Sequence, residues 1–186
     1  MNDLPRLIEG MTRRDLLAIL AVTPAALLAK VTLAQGKSRG MLRIEGDVRV
    51  NGNPAKRGLI IKPGDNVTTG GNAFAVFTMG EDAFLMRSRS RVETAGSGAT
   101  ADVMRLVTGK MLSVFSPGER ELQTNTATIG IRGTGVYLEV EARRTYACTC
   151  YGSVQLAPAG MPSMTEKIVT THHEQPRYVY ADKSMP

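Results

Sequence analysis

Residues 124–140 read TNTATIGIRGTGVYLEV and carry the most recognisable pattern in the chain. Apolar side chains alternate with small or polar ones at Ile129 and Ile131, and again from Val136 to Val140, which is the period of a half-buried strand. Between the two runs, glycines flank Thr134, and glycine tolerates the positive φ that a bend or bulge needs. The segment therefore predicts two short β-strands that meet at a glycine-rich kink.

The chain after residue 35 shows further strand signals and no helical period of useful length. Additional strands are predicted at 41–50, from 59, around 67, at 73–79, 83–86, 89–94, 103–107, 111–115, 145–156, 167–170 and 178–180. Thr108-Gly109-Lys110 is predicted to be a hairpin turn. Strands at this spacing predict a sandwich, a barrel or a short solenoid of strands. The expected fold class is all-β and mostly antiparallel, after an N-terminal signal-peptide helix.

Residues 1–34 have the pattern of an export signal peptide. Leu16–Ala29 is an apolar run of 14 residues, shorter than the roughly 20 residues of a membrane-spanning helix and typical of a signal-peptide core. Small residues before Gln35 predict cleavage after Ala34. We therefore expect a periplasmic protein whose leader contacts the membrane transiently. The alternative is an uncleaved leader that anchors the protein to the membrane.

The leader also carries an arginine pair that indicates an export route. Arg13 and Arg14, within TRRDLL, resemble the twin-arginine export motif. Acidic residues balance the basic ones before the apolar run, so the leader lacks the net positive charge of an ordinary secretory leader. This balance favours twin-arginine export over general secretion.

The charge of the chain indicates little about nucleic acids. The formal net charge is +6 and the pI is about 9.6 for 186 residues, but the basic residues are scattered. The one dense run, Arg87–Arg91, has no interleaved aromatic side chains on which bases would stack. A solvated strand edge explains this run, and we expect no nucleic-acid partner.

Four segments occur in the order of a known domain. They are Gly46–Gly52, Gly58–Gly70, Gly109–Phe115 and Thr124–Thr134, the last ending in Arg132-Gly133-Thr134. This order resembles the FecR-like domain, a periplasmic module of iron-dicitrate regulators and of many free-standing exported proteins. The resemblance covers residues 40–157 and leaves 158–186 as a C-terminal extension with a possible edge strand. It implies a non-enzymatic binding or sensing module whose partner is a cell-envelope protein or a small ligand.

One departure from the iron-dicitrate regulators limits what the resemblance implies. Those regulators carry a long cytoplasmic segment that contacts a sigma factor, whereas about a dozen residues precede the apolar run here. We therefore expect a stand-alone domain without the sigma-factor-binding element. Arg132, beside the kink, has two interpretations: it binds a carboxylate or phosphate, or it is partly buried and satisfied by backbone carbonyls.

The C-terminal region contains all the cysteines and histidines of the chain. Cys148 and Cys150 lie two residues apart on a predicted strand and so point to the same face. Their Cα separation is near the upper limit for a disulfide. His172 and His173 follow the short strand at 167–170. If that strand pairs near the cysteines, two sulfurs and one or two imidazoles converge into a site for zinc, copper or iron. Adjacent strand residues face opposite ways, so both histidines reach one metal only if the strand ends there.

Several alternatives to a metal site remain at the sequence level. The cysteines can be buried free thiols or form an inter-chain or strained disulfide, and the histidines can be surface residues. A cysteine nucleophile with His173 as base would indicate an enzyme, but no third orienting residue is recognisable. The sequence therefore favours a non-enzymatic envelope module, with a small metal-binding or redox protein as the alternative function.

Overall fold

The computed structural model describes residues 39–98 and 101–186, so the predicted leader, with Arg13, Arg14 and the cleavage point after Ala34, lies outside the described residues. Within these ranges the strands are β1 (Gly40–Glu45), β2 (Val48–Val50), β3 (Asn53–Pro54), β4 (Asn66–Thr69), β5 (Phe74–Met79), β6 (Asp82–Met86), β7 (Arg91–Ala95), β8 (Val103–Val114), β9 (Glu119–Gln123), β10 (Ala127–Arg132), β11 (Gly135–Val140), β12 (Arg144–Pro158), β13 (Glu166–Thr170) and β14 (Arg177–Tyr180). A short 3-10 helix occupies Pro162–Met164. Among the described residues, no helix has the length and apolar character to cross a membrane.

The strand pairings form two sheets. The first runs β1-β5-β6-β8-β11-β12-β14. The second runs β3-β2-β4-β7-β8-β9-β10-β12-β13. Every pairing between these strands is antiparallel except that of β8 with β9, which is parallel. The predicted all-β, mostly antiparallel fold class is confirmed.

Two long strands, β8 and β12, belong to both sheets. Each bends where it passes between them, at Gly109 with φ +91° and at Gly152 with φ +90°. β11 joins the two strands in the first sheet, and β9 and β10 join them in the second. These five strands therefore form a closed ring at the centre of the fold.

The predicted hairpin at Thr108-Gly109-Lys110 is wrong, because Val103–Val114 is one continuous strand. Gly109 supplies a bend within that strand. An added Cβ at Gly109 would lie 2.2 Å from Ser90 Oγ, and the Lys110 amide donates a 2.8 Å hydrogen bond to the same oxygen. Glycine at position 109 suggested a turn. In the structure its positive φ instead lets β8 pass close to Ser90.

Further strand predictions also differ from the structure. The run predicted at 41–50 is two strands, β1 in the first sheet and β2 in the second. The segment that begins at Leu59 forms no strand. The Leu59 carbonyl accepts a 2.8 Å hydrogen bond from the Met41 amide, but no ladder of strand hydrogen bonds continues from it. β9 was not predicted, because Glu119–Gln123 is mostly polar. The predicted edge strand at 178–180 corresponds to β14, which pairs with β12.

The core follows directly from the alternation of apolar residues. β5 alternates half-buried and buried residues along its whole length, and a single buried cluster takes side chains from both sheets. Phe77, Phe84 and Phe115 pack together in it, with ring centroids 5.2 and 5.6 Å apart. Each fully buried side chain of this kind contributes about 1.5–3 kcal/mol through the hydrophobic effect.

Candidate functional site

The Arg132-Gly133-Thr134 segment forms the corner between β10 in the second sheet and β11 in the first. Gly133 has φ +59°, a left-handed conformation that suits glycine. Thr134 is fully buried, and its hydroxyl donates a 2.6 Å hydrogen bond to the Tyr151 carbonyl. The Gly152 backbone lies so close that an added Cβ would be 2.1 Å from Thr134 Oγ1. The segment therefore packs the corner against the bend of β12 and hydrogen-bonds to it.

Arg132 is placed differently from Thr134. Its side chain is 80% exposed and forms a 2.5 Å ion pair with Glu119, which is equally exposed. The interpretation of a partly buried arginine satisfied by backbone carbonyls does not describe this position. Arg132 and Glu119 both line a groove of about 540 Å³ on the second sheet.

Arg120, which also lines this groove, forms a largely buried ion pair with Asp82. Asp82 is 1% exposed and accepts a 3.0 Å bond from Arg120 Nε. The same carboxylate also accepts bonds from the Ser116 amide and hydroxyl at 2.9 and 2.7 Å. Because all three donors converge on one carboxylate, the buried charge is satisfied.

The structure brings three of the four sequence-predicted metal ligands together. Cys148 is buried and Cys150 is half-buried, both on the first-sheet part of β12, and neither forms a disulfide. Cys148 Sγ lies 3.2 Å from His173 Nδ1. One ligand atom from each of Cys148, Cys150 and His173 lies within 4.8 Å of the other two. We call these three residues the thiol–imidazole cluster.

His173 reaches the cysteines because of the turn that follows β13. β13 pairs with the part of β12 that begins at Gly152, so the chain leaves it beside Cys150. The Glu174 carboxylate accepts bonds from the Thr171 amide and hydroxyl at 3.1 and 2.7 Å. His173 adopts φ +45°, and its amide donates a 3.3 Å bond to the Cys150 carbonyl. His172 is exposed and lies outside the cluster.

The cluster borders an open pocket of about 650 Å³ whose other residues the sequence reasoning missed. The additional lining residues are Leu112, Tyr137, Glu139, Tyr146 and Tyr178. In the pairing of β11 with β12, Tyr137 lies opposite Cys148 and Glu139 opposite Tyr146. The two-residue spacing of each set predicts a shared face. The sequence does not predict the register of β11 against β12, which places Tyr137 and Glu139 beside Cys148 and Tyr146.

Protonation in the pocket is governed mainly by burial. Burial, with a hydrogen bond to Glu139, raises the pKa of Tyr137 to about 12. Burial also raises the pKa of the Cys150 thiol, and the neighbouring Cys148 raises it further. The hydrogen bond from Lys110 holds the pKa of Glu139 below its usual value. The pocket thus combines a phenol and a thiol of raised pKa, those of Tyr137 and Cys150, with a carboxylate already paired to a lysine.

No protein-family model and no curated protein sequence matches this chain. Two crystal structures of a proposed anti-sigma factor from Parabacteroides distasonis, at 1.65 and 2.50 Å resolution, are similar in fold, with TM-scores of 0.55 and 0.54. The sequence identity is 8%, and each match covers 65% of this chain. The chain spans 57% of the length of the chain it matches. The likeness shows a shared β fold.

Proposed function

We propose that this protein is a non-enzymatic binding or sensing module of the cell envelope, built on a FecR-like β domain. The observation that carries the proposal is the fold likeness to the proposed anti-sigma factor. The four sequence segments that resemble the FecR-like domain support the same assignment. Their ends coincide with bends of the fold: Gly109 in β8, and the corner at Gly133 and Thr134.

The buried position of the motif residue Thr134 leaves the surface of the domain for ligand binding. Thr134 is fully buried and stabilises a corner, so it has no free group for a ligand. The groove on the second sheet offers acidic and basic side chains together: Glu119, Glu121, Arg132 and Lys167. Mixed charge of this kind suits recognition of a protein surface more than of a uniformly charged ligand. We therefore place the binding face on this groove and propose an envelope protein as partner.

The absence of enzymatic activity is part of the proposal. Cys148 and His173 are close enough for a nucleophile and base, at 3.2 Å. Such a pair also needs a group that orients the imidazole, and among residues 39–98 and 101–186 no carboxylate or amide side chain hydrogen-bonds to the His173 ring. Burial of Cys148 further restricts attack on a substrate.

Cell fractionation tests the location. The full chain with a C-terminal tag is expressed in its host, and the envelope fractions are analysed by N-terminal sequencing. We expect a mature chain that begins at Gln35, and retention of the precursor when Arg13 and Arg14 are both replaced by lysine. Full-length protein found only in the cytoplasm would overturn the proposal.

Crosslinking in intact cells tests the binding face. A photoreactive residue replaces Lys167, which is exposed in the groove. The matched control places it at Arg57, which is also exposed and lies in the loop between β3 and β4. We expect a discrete protein adduct from position 167 and none from 57. Identical adduct patterns from both positions, or none from either, would contradict a specific groove.

A further inference from the structure

We propose that Cys148, Cys150 and His173 bind one thiophilic d10 metal ion, Zn²⁺ or Cu⁺, at the edge of the tyrosine-lined pocket. Thiolate and imidazole ligands suit both ions. The site lies outside the groove to which we assign partner binding. The inference does not depend on the envelope role, because it concerns the purified chain alone.

The ligand atoms are already close to the spacing that such an ion requires. Around a tetrahedral Zn²⁺ with Zn–S distances of about 2.3 Å, two sulfur ligands lie ~3.8 Å apart. In the structure the three ligand atoms lie within 4.8 Å of one another, and Cys148 Sγ is 3.2 Å from His173 Nδ1. Adjustments of about 1 Å, within reach of χ1 rotation, complete the geometry without moving the backbone.

The backbone holds all three ligands in place. Cys148 and Cys150 project from the same face of β12, a strand paired with β11 beside them. His173 has a positive φ of 45°, an uncommon conformation for a residue other than glycine. The hydrogen bond from its amide to the Cys150 carbonyl at 3.3 Å holds the His173 backbone beside the cysteines. Such strain at a ligand position is typical of functional sites.

A disulfide is a poorer use of the same cysteines. Residues two apart on an extended strand have Cα atoms about 6.6 Å apart, at the upper end of the range that a disulfide spans. Their side chains are also parallel and do not face each other. A metal ion tolerates parallel side chains because it lies above both sulfurs. Binding is balanced by the release of two thiol protons as the thiolates form.

Metal-loading of the full chain tests the site. Protein purified anaerobically with reductant and freed of metal by a chelator is titrated with Zn²⁺ or with Cu⁺ in separate arms, each against a chromophoric competitor. Co²⁺ in a third arm reports thiolate ligation through its sulfur-to-metal charge-transfer absorption. We expect one ion per chain, with the tighter arm identifying the preferred ion.

The variants separate the three ligands from their surroundings. Cys148→Ser and Cys150→Ser should each abolish stoichiometric binding, and His173→Ala should weaken it at least tenfold. His172→Ala is the matched control, because His172 is adjacent, exposed and outside the cluster, and it should bind like the parent chain. Circular dichroism confirms that each variant is folded. Because His173 is exposed, His173→Ala should leave the fold intact. Weaker binding in that variant therefore reports the loss of a ligand and not misfolding.

Three results would overturn the site. The first is failure of the parent chain to bind either ion in stoichiometric amount. The second is unchanged binding in a Cys148→Ser/Cys150→Ser double variant. The third is equal loss in His172→Ala and His173→Ala, which would place binding on the loop as a whole and not on the cluster.

Discussion

Replacing Gly152 with alanine should destabilise the protein far more than an ordinary glycine substitution. Gly152 is the bend of β12, with φ +90°. Its added Cβ would lie 2.1 Å from Thr134 Oγ1 and 3.1 Å from Thr134 Cβ. The hydroxyl cannot rotate away freely, because it donates to the Tyr151 carbonyl at 2.6 Å. The substitution therefore strains the backbone and also opens a buried hydrogen bond.

The two effects can be given separate magnitudes. A left-handed conformation costs a non-glycine residue about 1–2 kcal/mol. The clash requires Thr134 to shift by more than about 1 Å to reach an ordinary contact distance. That movement leaves buried polar groups unpaired, at about 1–3 kcal/mol. We expect Gly152→Ala to lower the free energy of unfolding by about 2–5 kcal/mol, a large share of the ~5–15 kcal/mol of a typical domain.

Gly160→Ala is the matched control for this experiment. Gly160 also has a positive φ, +73°, but an added Cβ there has no atom within 4 Å. The Gly160→Ala variant should lose only about 1–2 kcal/mol of its free energy of unfolding, the cost of placing a non-glycine residue in a left-handed conformation. Urea denaturation followed by circular dichroism measures both variants. Thr134→Ala provides a second check, because in that background the further loss from Gly152→Ala should shrink. Equal losses in Gly152→Ala and Gly160→Ala would refute the reasoning.

Three further predictions concern buried and exposed charges. Asp82→Asn should lower the free energy of unfolding by about 3 kcal/mol, because it leaves the largely buried Arg120 without its counter-charge; a loss below about 1 kcal/mol in urea denaturation would contradict this. Arg132→Ala should change it by less than about 0.5 kcal/mol, since the ion pair with Glu119 is exposed; a larger shift in the urea midpoint would reveal an unrecognised contact. Because burial raises the pKa of Tyr137 to about 12, its contribution to stability is full below pH ~10 and is lost as the pH rises towards 12. An absorbance titration compared with Tyr137→Phe tests this, and it fails if Tyr137 ionises with the other tyrosines.

The sequence predicted the strands that have a clear alternation. β10 and β11 were recognised because apolar residues alternate within each of them, at Ile129 and Ile131 in β10 and at Val136, Leu138 and Val140 in β11. The bend of β8 was mistaken for a turn because glycine with positive φ serves both. The choice between them depends on Ser90, about 20 residues earlier, and no local pattern contains that contact.

The candidate site shows the same division between local and long-range information. The two-residue spacing correctly placed Cys148 and Cys150 near each other. Which histidine joins them depends on the turn after β13, where His173 has a positive φ and its Nδ1 lies beside Cys148 Sγ. Tyr137 and Glu139 were missed because their position depends on the register of β11 against β12. Register is set by pairing across the sheet, which the sequence of one strand does not encode.

The corner and the thiol–imidazole cluster are connected through β12. Cys150 lies just before the bend, in the first sheet. Gly152 is at the bend and begins the pairing of β12 with β13 in the second sheet. β13 pairs with β12 from Gly152 onward, and His173, in the turn after β13, donates its amide hydrogen bond back to the Cys150 carbonyl. Thr134 packs directly against Gly152, and its hydroxyl donates to the Tyr151 carbonyl. The buried threonine of the corner is therefore connected to the cluster through the bend of β12, which lies between Cys150 and the part of β12 that pairs with β13.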